Sequence, residues 1–191
     1  MDQPETIIDN ETLELLAECL RYPTEPTTEQ ARQTQARLTT WDPEVASAVG
    51  RLADAVEADL HRVEERYTML FDLNPVCNMY VSHHIFGDDY RRGAALAGLR
   101  AEFMKVGLSE RGELPDYLPN LLCLLAQMQD PDDRQLLLEQ LLLPGTQRIA
   151  KRVSDNEGPY PEILRGLPRL LGGQDLPPED EESHQEVQSH V

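Results

Sequence analysis

At 191 residues the chain falls in the single-domain range, so one core is the expectation. Apolar residues make up 40% of it but aromatics only 5%, and the dominance of Leu and Ala points to an all-α fold. A formal charge of -18 argues against nucleic acid and anionic lipid surfaces as partners, and would draw a basic peptide in.

The N-terminal "MDQPETIIDNE" has neither the basic region nor the apolar core of a signal peptide, and no apolar run nears the roughly 20 residues of a membrane span, so a cytoplasmic location is expected. A first helix is predicted from Asp9 or Asn10, either of which can cap it, with Leu13, Leu16 and Leu20 on one face. Pro23 stops it by Tyr22. "PTEPTTEQARQTQARLTT" then predicts a weak, peripheral helix with capping-box spacing from Thr27 to Gln30. After the Asp42 cap and Pro43, the stripe Val45, Val49, Leu52, Val56, Leu60, Val63, Tyr67 and Leu70 predicts one long amphipathic helix, broken at Asn74 and Pro75.

In "VCNMYVSHHIFGDDYRRG" Gly87 supplies a turn and Asp88 a cap for a helix over 88–106, which carries Leu96, Leu99 and Phe103 and ends at Gly107. In "ELPDYLP" Pro115 and Pro119 stiffen the entry to a central leucine-rich helix over 119–129, while Asp116 is either a cap or a free carboxylate that pairs with Glu113. "DPDD" caps a helix with Leu136, Leu137, Leu141 and Leu142, which Pro144 and Gly145 kink or interrupt. "SDNEGPY" reads as a loop and "PEILRGLPRLL" as a last short helix. From Gly172 the acidic run has almost nothing to bury and is expected to be a disordered tail, which divides the chain into 1–171 and 172–191, with a hinge or loop near 73–87. No internal repeat or alternating strand pattern is present.

The chemistry of catalysis is poorly represented. Cys19 and Cys123 lie among leucines, which disfavours a reactive thiolate, and no phosphate loop or nucleophile elbow occurs. His83, His84, Asp88 and Asp89 suggest a small metal-dependent hydrolase as the rival reading. Against it, adjacent helical residues diverge by about 100° and no known zinc signature completes the set. No metal and no catalytic residue is therefore expected.

Read together and in order, "YTMLFD", "HIFGDDYRRG" and "ELPDYLP", with "EGPYPEIL" later, resemble the NarJ-type chaperones of the nitrate reductase delta-subunit family, within the TorD/DmsD/NarJ superfamily of redox enzyme maturation proteins. The resemblance covers roughly residues 10 to 171. It implies a single-domain all-helical bundle of the TorD/NarJ-like type and a cytoplasmic chaperone, monomeric or dimeric, that is not itself an enzyme. Such a chaperone binds the N-terminal leader of an apo catalytic subunit of the dimethyl sulfoxide reductase family, in nitrate assimilation or a related pathway. It holds this client until molybdopterin guanine dinucleotide is inserted, and that cofactor belongs to the client. Motif matching assigns Tyr67, Phe71, Asp72, His84, Arg92, Glu113, Asp116 and Tyr117 to the peptide site and Gly87, Pro115 and Pro119 to its framework. Tyr117 stands where family members often have His. A helical scaffold without leader specificity is the blander alternative.

Overall fold

A computed structural model describes residues 8–73, 77–153 and 156–173. The breaker Asn74 and Pro75, part of the "SDNEGPY" loop and most of the expected acidic tail lie outside the described residues. Among those described, the chain is all helix, and its one β-type pairing is an isolated antiparallel bridge between Tyr80 and Tyr117. No helix among them is long and apolar enough to cross a membrane.

Helix α1 (Asn10–Cys19) starts as its sequence predicts, with the Asp9 carboxylate accepting from the Thr12 amide at 2.8 Å, and buries Leu13, Leu16 and Ala17. Helix α2 (Thr27–Leu38) departs from expectation twice. Its cap residue is Pro26, and no capping box forms because the Thr27 hydroxyl accepts from the Thr24 amide instead. Nor is the helix peripheral. It packs on α1 and closely on α3 (Pro43–Ala58), where Gly50 leaves room for the Gln35 side chain that a methyl group would overlap.

The predicted long helix is two helices and a π-helical turn. Asp59 leaves the helical region (φ -161°, ψ 88°), and its carboxylate accepts from the Arg62 amide to cap α4 (Leu60–Tyr67). An apolar stripe at helical spacing survives such a break, because each half still faces the core: Val45, Val49, Leu52 and Val56 are buried in one half and Val63, Tyr67 and Leu70 in the other. The turn Thr68–Asp72 then carries Leu70 and Phe71 inward.

Beyond it the chain forms the short helix α5 (Val81–Phe86), which the turn signal at Gly87 (φ 58°) concealed, and then α6 (Arg91–Val106). The cap position of α6 is Tyr90, so Asp88 does not cap it; Asp89 meets the first turn by accepting from the Arg91 amide at 2.8 Å. Gly107 closes α6 in the left-handed conformation (φ 70°) its sequence predicts. Helix α7 (Leu118–Gln127) is central, with Leu118, Leu121, Leu122, Leu124 and Leu125 fully buried.

Helix α8 (Pro131–Leu137), capped by Asp130, runs through a π-helical turn at Leu138–Leu142 into α9 (Leu143–Arg152). The interruption expected at Pro144 is thus absorbed by a π turn, with Pro144 in the first turn of α9, where the missing amide costs little. Helix α10 (Pro159–Leu170) returns across α3 and α9. Gly172 and Gly173 donate to the carbonyls of Arg169 and Pro168 and close α10.

Candidate functional site

The three motifs meet in space. The bridge between Tyr80 and Tyr117 is closed by two backbone bonds, Val81 N–H to the Asp116 carbonyl at 2.9 Å and Leu118 N–H to the Met79 carbonyl at 2.8 Å. It clamps the segment leading into α5 against "ELPDYLP" at the mouth of α7. The end of α4 and its π turn lie against the same place through Tyr67.

Tyr67 is nearly buried. Its hydroxyl donates to the Leu20 carbonyl at 3.1 Å, so the Tyr117 hydroxyl donates to it at 2.7 Å. Edge-on rings surround Tyr67: Tyr22 at 5.5 Å, Phe71 at 4.8 Å and Tyr160 at 5.3 Å between centroids. Burial pushes the Tyr117 hydroxyl up to about 12 and holds the Tyr67 and Tyr160 hydroxyls well above the ordinary phenol range. These are neutral donors and acceptors, not acids.

A carboxylate rim borders this aromatic core. Glu113 accepts from the Tyr80 hydroxyl at 2.8 Å. Asp72 is exposed, and its carboxyl is held above the ordinary range by partial burial first and by the charge of Glu113 second. Two anions therefore stand close enough to feel each other beside apolar side chains left in water, with Met69 at 67% and Leu73 at 73% exposure and Leu114 also exposed.

Other assigned residues are structural in these contacts. Asp116 neither caps α7, whose cap position is Tyr117, nor reaches the surface; it is wholly buried and accepts from the Ser82 hydroxyl at 2.6 Å and from Arg92 at 3.4 Å. A ligand touching it must first move one of those partners. His84 is buried too, its Nε2 donating to the Asn78 carbonyl at 2.6 Å, and burial holds its pKa below the usual value. Arg148 donates to the carbonyls of His84 and Ile85 and ties the end of α5 to α9. Gly87 makes the left-handed turn after α5, while Pro115 and Pro119 are buried at the α7 entry.

The rival metal cluster does not converge. His84 is committed to a carbonyl, Asp89 pairs with Arg91 at 3.0 Å and Asp88 is exposed. Among the described residues no three His, Cys, Asp or Glu side chains form a group fit for a metal ion. The thiols are also quiet: burial raises Cys19 to about 12 and raises Cys77 and Cys123 above their ordinary value. Sequence reasoning missed Tyr80, Ser82 and Arg21, whose guanidinium lies 6.0 Å from the Tyr117 ring centroid while donating to Asn120 at 3.0 Å. For Tyr80 and Ser82 the only sequence signal is aromaticity or polarity shortly before a motif, and Arg21 has none, since its partner Asn120 is 99 residues away in the chain.

Comparison with known proteins places this geometry in a lineage. The family model described as nitrate reductase delta subunit matches residues 38–143, which contain all three motifs. The chain is 32% identical over 104 residues to the probable nitrate reductase molybdenum cofactor assembly chaperone NarJ of Bacillus subtilis, covering 54% of this chain and 55% of that protein. It is 29% identical over 120 residues to the nitrate reductase molybdenum cofactor assembly chaperone NarJ of Escherichia coli K12, covering 62% and 50%. The chain thus matches about half the length of these relatives. In fold it is similar to a crystal structure from Archaeoglobus fulgidus described as a redox enzyme maturation protein, with a TM-score of 0.59 at 22% identity over 85% of this chain and 93% of that one.

Proposed function

Because the chain belongs to the nitrate reductase delta subunit family, we propose that it is an assembly chaperone for a molybdenum enzyme and that it binds the N-terminal leader of the apo catalytic subunit. The observation that carries this reading is the convergence of three separated motifs on one place, where two carboxylates stand over buried aromatic rings and Arg92 ties the middle motif in through Asp116. Tyr67, Phe71 and Tyr117 form its floor, and Asp72 and Glu113 its anionic rim.

A leader helix with apolar and cationic residues on one side suits this surface. Its apolar side chains would cover Met69, Leu73 and Leu114, which lie in water in the free chain. Its cations would pair with Asp72 and Glu113, whose mutual repulsion a positive charge relieves. The overall charge of -18 would speed encounter with a basic segment. Binding holds the client in an unfinished state in the cytoplasm. The client belongs to the dimethyl sulfoxide reductase family and receives molybdopterin guanine dinucleotide as its own cargo, so this chain needs no cofactor.

The test is capture of a nitrate reductase catalytic subunit made without its cofactor, with and without its N-terminal segment. The reading predicts retention of the intact subunit and loss of the truncated one. Equal capture of both would identify a scaffold with no leader specificity.

A further inference from the structure

Beside the break at Asp59, between the α3–α4 junction and the start of α10, lies a cavity of about 390 Å³. That volume falls within the roughly 300–1,000 Å³ of small-molecule sites. Its buried wall is apolar, formed by Val63, Leu70, Tyr160 and Pro161, and Leu70 reaches it from the π-helical turn. Its exposed edge carries two cations, Arg62 and Arg66, and two acids, Asp59 and Glu157.

In a chain of net charge -18 cations are scarce, and nearly all of them are engaged. Arg62 is the exception: among the described residues no other Lys or Arg side chain lacks an ion pair, a hydrogen bond and a ring contact alike. Arg66, one turn further along α4, donates to the Glu157 carbonyl at 2.6 Å but pairs with no carboxylate among the described residues. The acids nearby are turned to other work. His61 lies 3.3 Å from Glu64 and 3.5 Å from Glu65, which gathers those two carboxylates on another face of α4. Asp59 accepts from the Arg62 amide as the helix cap, and the exposed Glu157 carboxylate forms an ion pair with neither guanidinium. Two like charges spaced i, i+4 repel one another, so an anion held between them would be doubly favoured.

We propose that this cavity is a binding site for a small amphipathic carboxylate. The alkyl body lies against Val63, Leu70 and Pro161, and the carboxylate bridges Arg62 and Arg66 at the edge. A guanidinium offers a planar fork that matches a carboxylate, and here two of them stand where hydrocarbon ends and water begins. The site is independent of the leader-binding reading, because a basic segment would be repelled by the same pair of arginines. Recognition has two parts that can be separated by experiment: the charge selects the anion, and the apolar wall selects chain length.

The experiment titrates butanoate, hexanoate and octanoate into the full ¹⁵N-labelled chain at constant ionic strength and follows amide chemical shifts, with hexanamide as the uncharged counterpart. Saturable shifts should centre on the amides within 58–66 and 157–163. Affinity should rise at least tenfold from butanoate to octanoate as buried methylenes are added, and hexanoate should bind at least fivefold more tightly than hexanamide. Arg62→Gln/Arg66→Gln should lose at least tenfold in octanoate affinity. If that variant does not fold, Arg62→Gln alone, which breaks no side-chain contact, should lose at least threefold. Affinity that does not depend on chain length, equal binding of hexanoate and hexanamide, shifts centred elsewhere, or an Arg62→Gln variant that binds octanoate as the wild-type chain does would each overturn the proposal.

Discussion

Tyrosine hydroxyls in this molecule have unequal worth. Tyr117 donates to Tyr67, whereas the Tyr160 hydroxyl is buried with no partner among the described residues. Tyr117→Phe removes one bond and leaves Tyr67 still donating to the Leu20 carbonyl, so a loss of about 1 kcal/mol in urea denaturation is expected. Tyr160→Phe removes a desolvated group that bonds nothing and should be neutral or stabilising by the same assay. His84 adds a pH signature. Its folded pKa is depressed, by burial above all, with the nearby Arg152, His83 and Arg148 charges acting in the same direction against the Asn78 bond. The unfolded chain therefore binds a proton that the folded chain refuses, so stability should fall as pH drops below about 6.5, the ordinary histidine value. A His84→Gln variant should lose that part of the slope in stability measured across mildly acidic pH.

The break at Asp59 separates two accounts of the same stripe of residues. If the helix ran on unbroken, Asp59→Ala would raise stability through helix propensity. Because Asp59 is a cap, the variant should lose about 1 kcal/mol, read from chemical denaturation. Existence and facing of most elements were legible in the sequence, α5, the break at Asp59 and the packing of α2 excepted, since period and caps at Asp9, Asp42, Asp130 and Gly107 all act locally. What was hidden depends on partners distant in sequence. The closeness of α2 to α3 turns on Gly50 meeting Gln35, and Gly145 lies so close to Val81 that a methyl group there would overlap it. Gly145→Ala should therefore shift α5 or α9 and cost roughly 1–3 kcal/mol in thermal or chemical unfolding. The site was half legible for the same reason. Tyr67, Glu113 and Tyr117 belong to motifs whose order could be seen, but the burial of Asp116 and His84 follows from a bridge between segments some 35 residues apart.

At the scale of the whole molecule, a chain of net charge -18 holds two coupled carboxylates, Asp72 and Glu113, over a cluster of buried aromatic rings. Asp72 takes up a proton more readily than an ordinary aspartate, through burial and then through Glu113, and a bound cation would reverse that preference. Leader affinity should therefore weaken as pH falls through the Asp72 titration and weaken with added salt, the latter mainly in association rate. The most direct measurement of the central claim is calorimetric titration of a catalytic-subunit N-terminal peptide into the wild-type chain and into Asp72→Asn/Glu113→Gln, with circular dichroism establishing that both are folded. The account predicts at least a tenfold loss of affinity in the double variant, about 1.4 kcal/mol or more. Equal affinity for both proteins, with no response to salt, would contradict it.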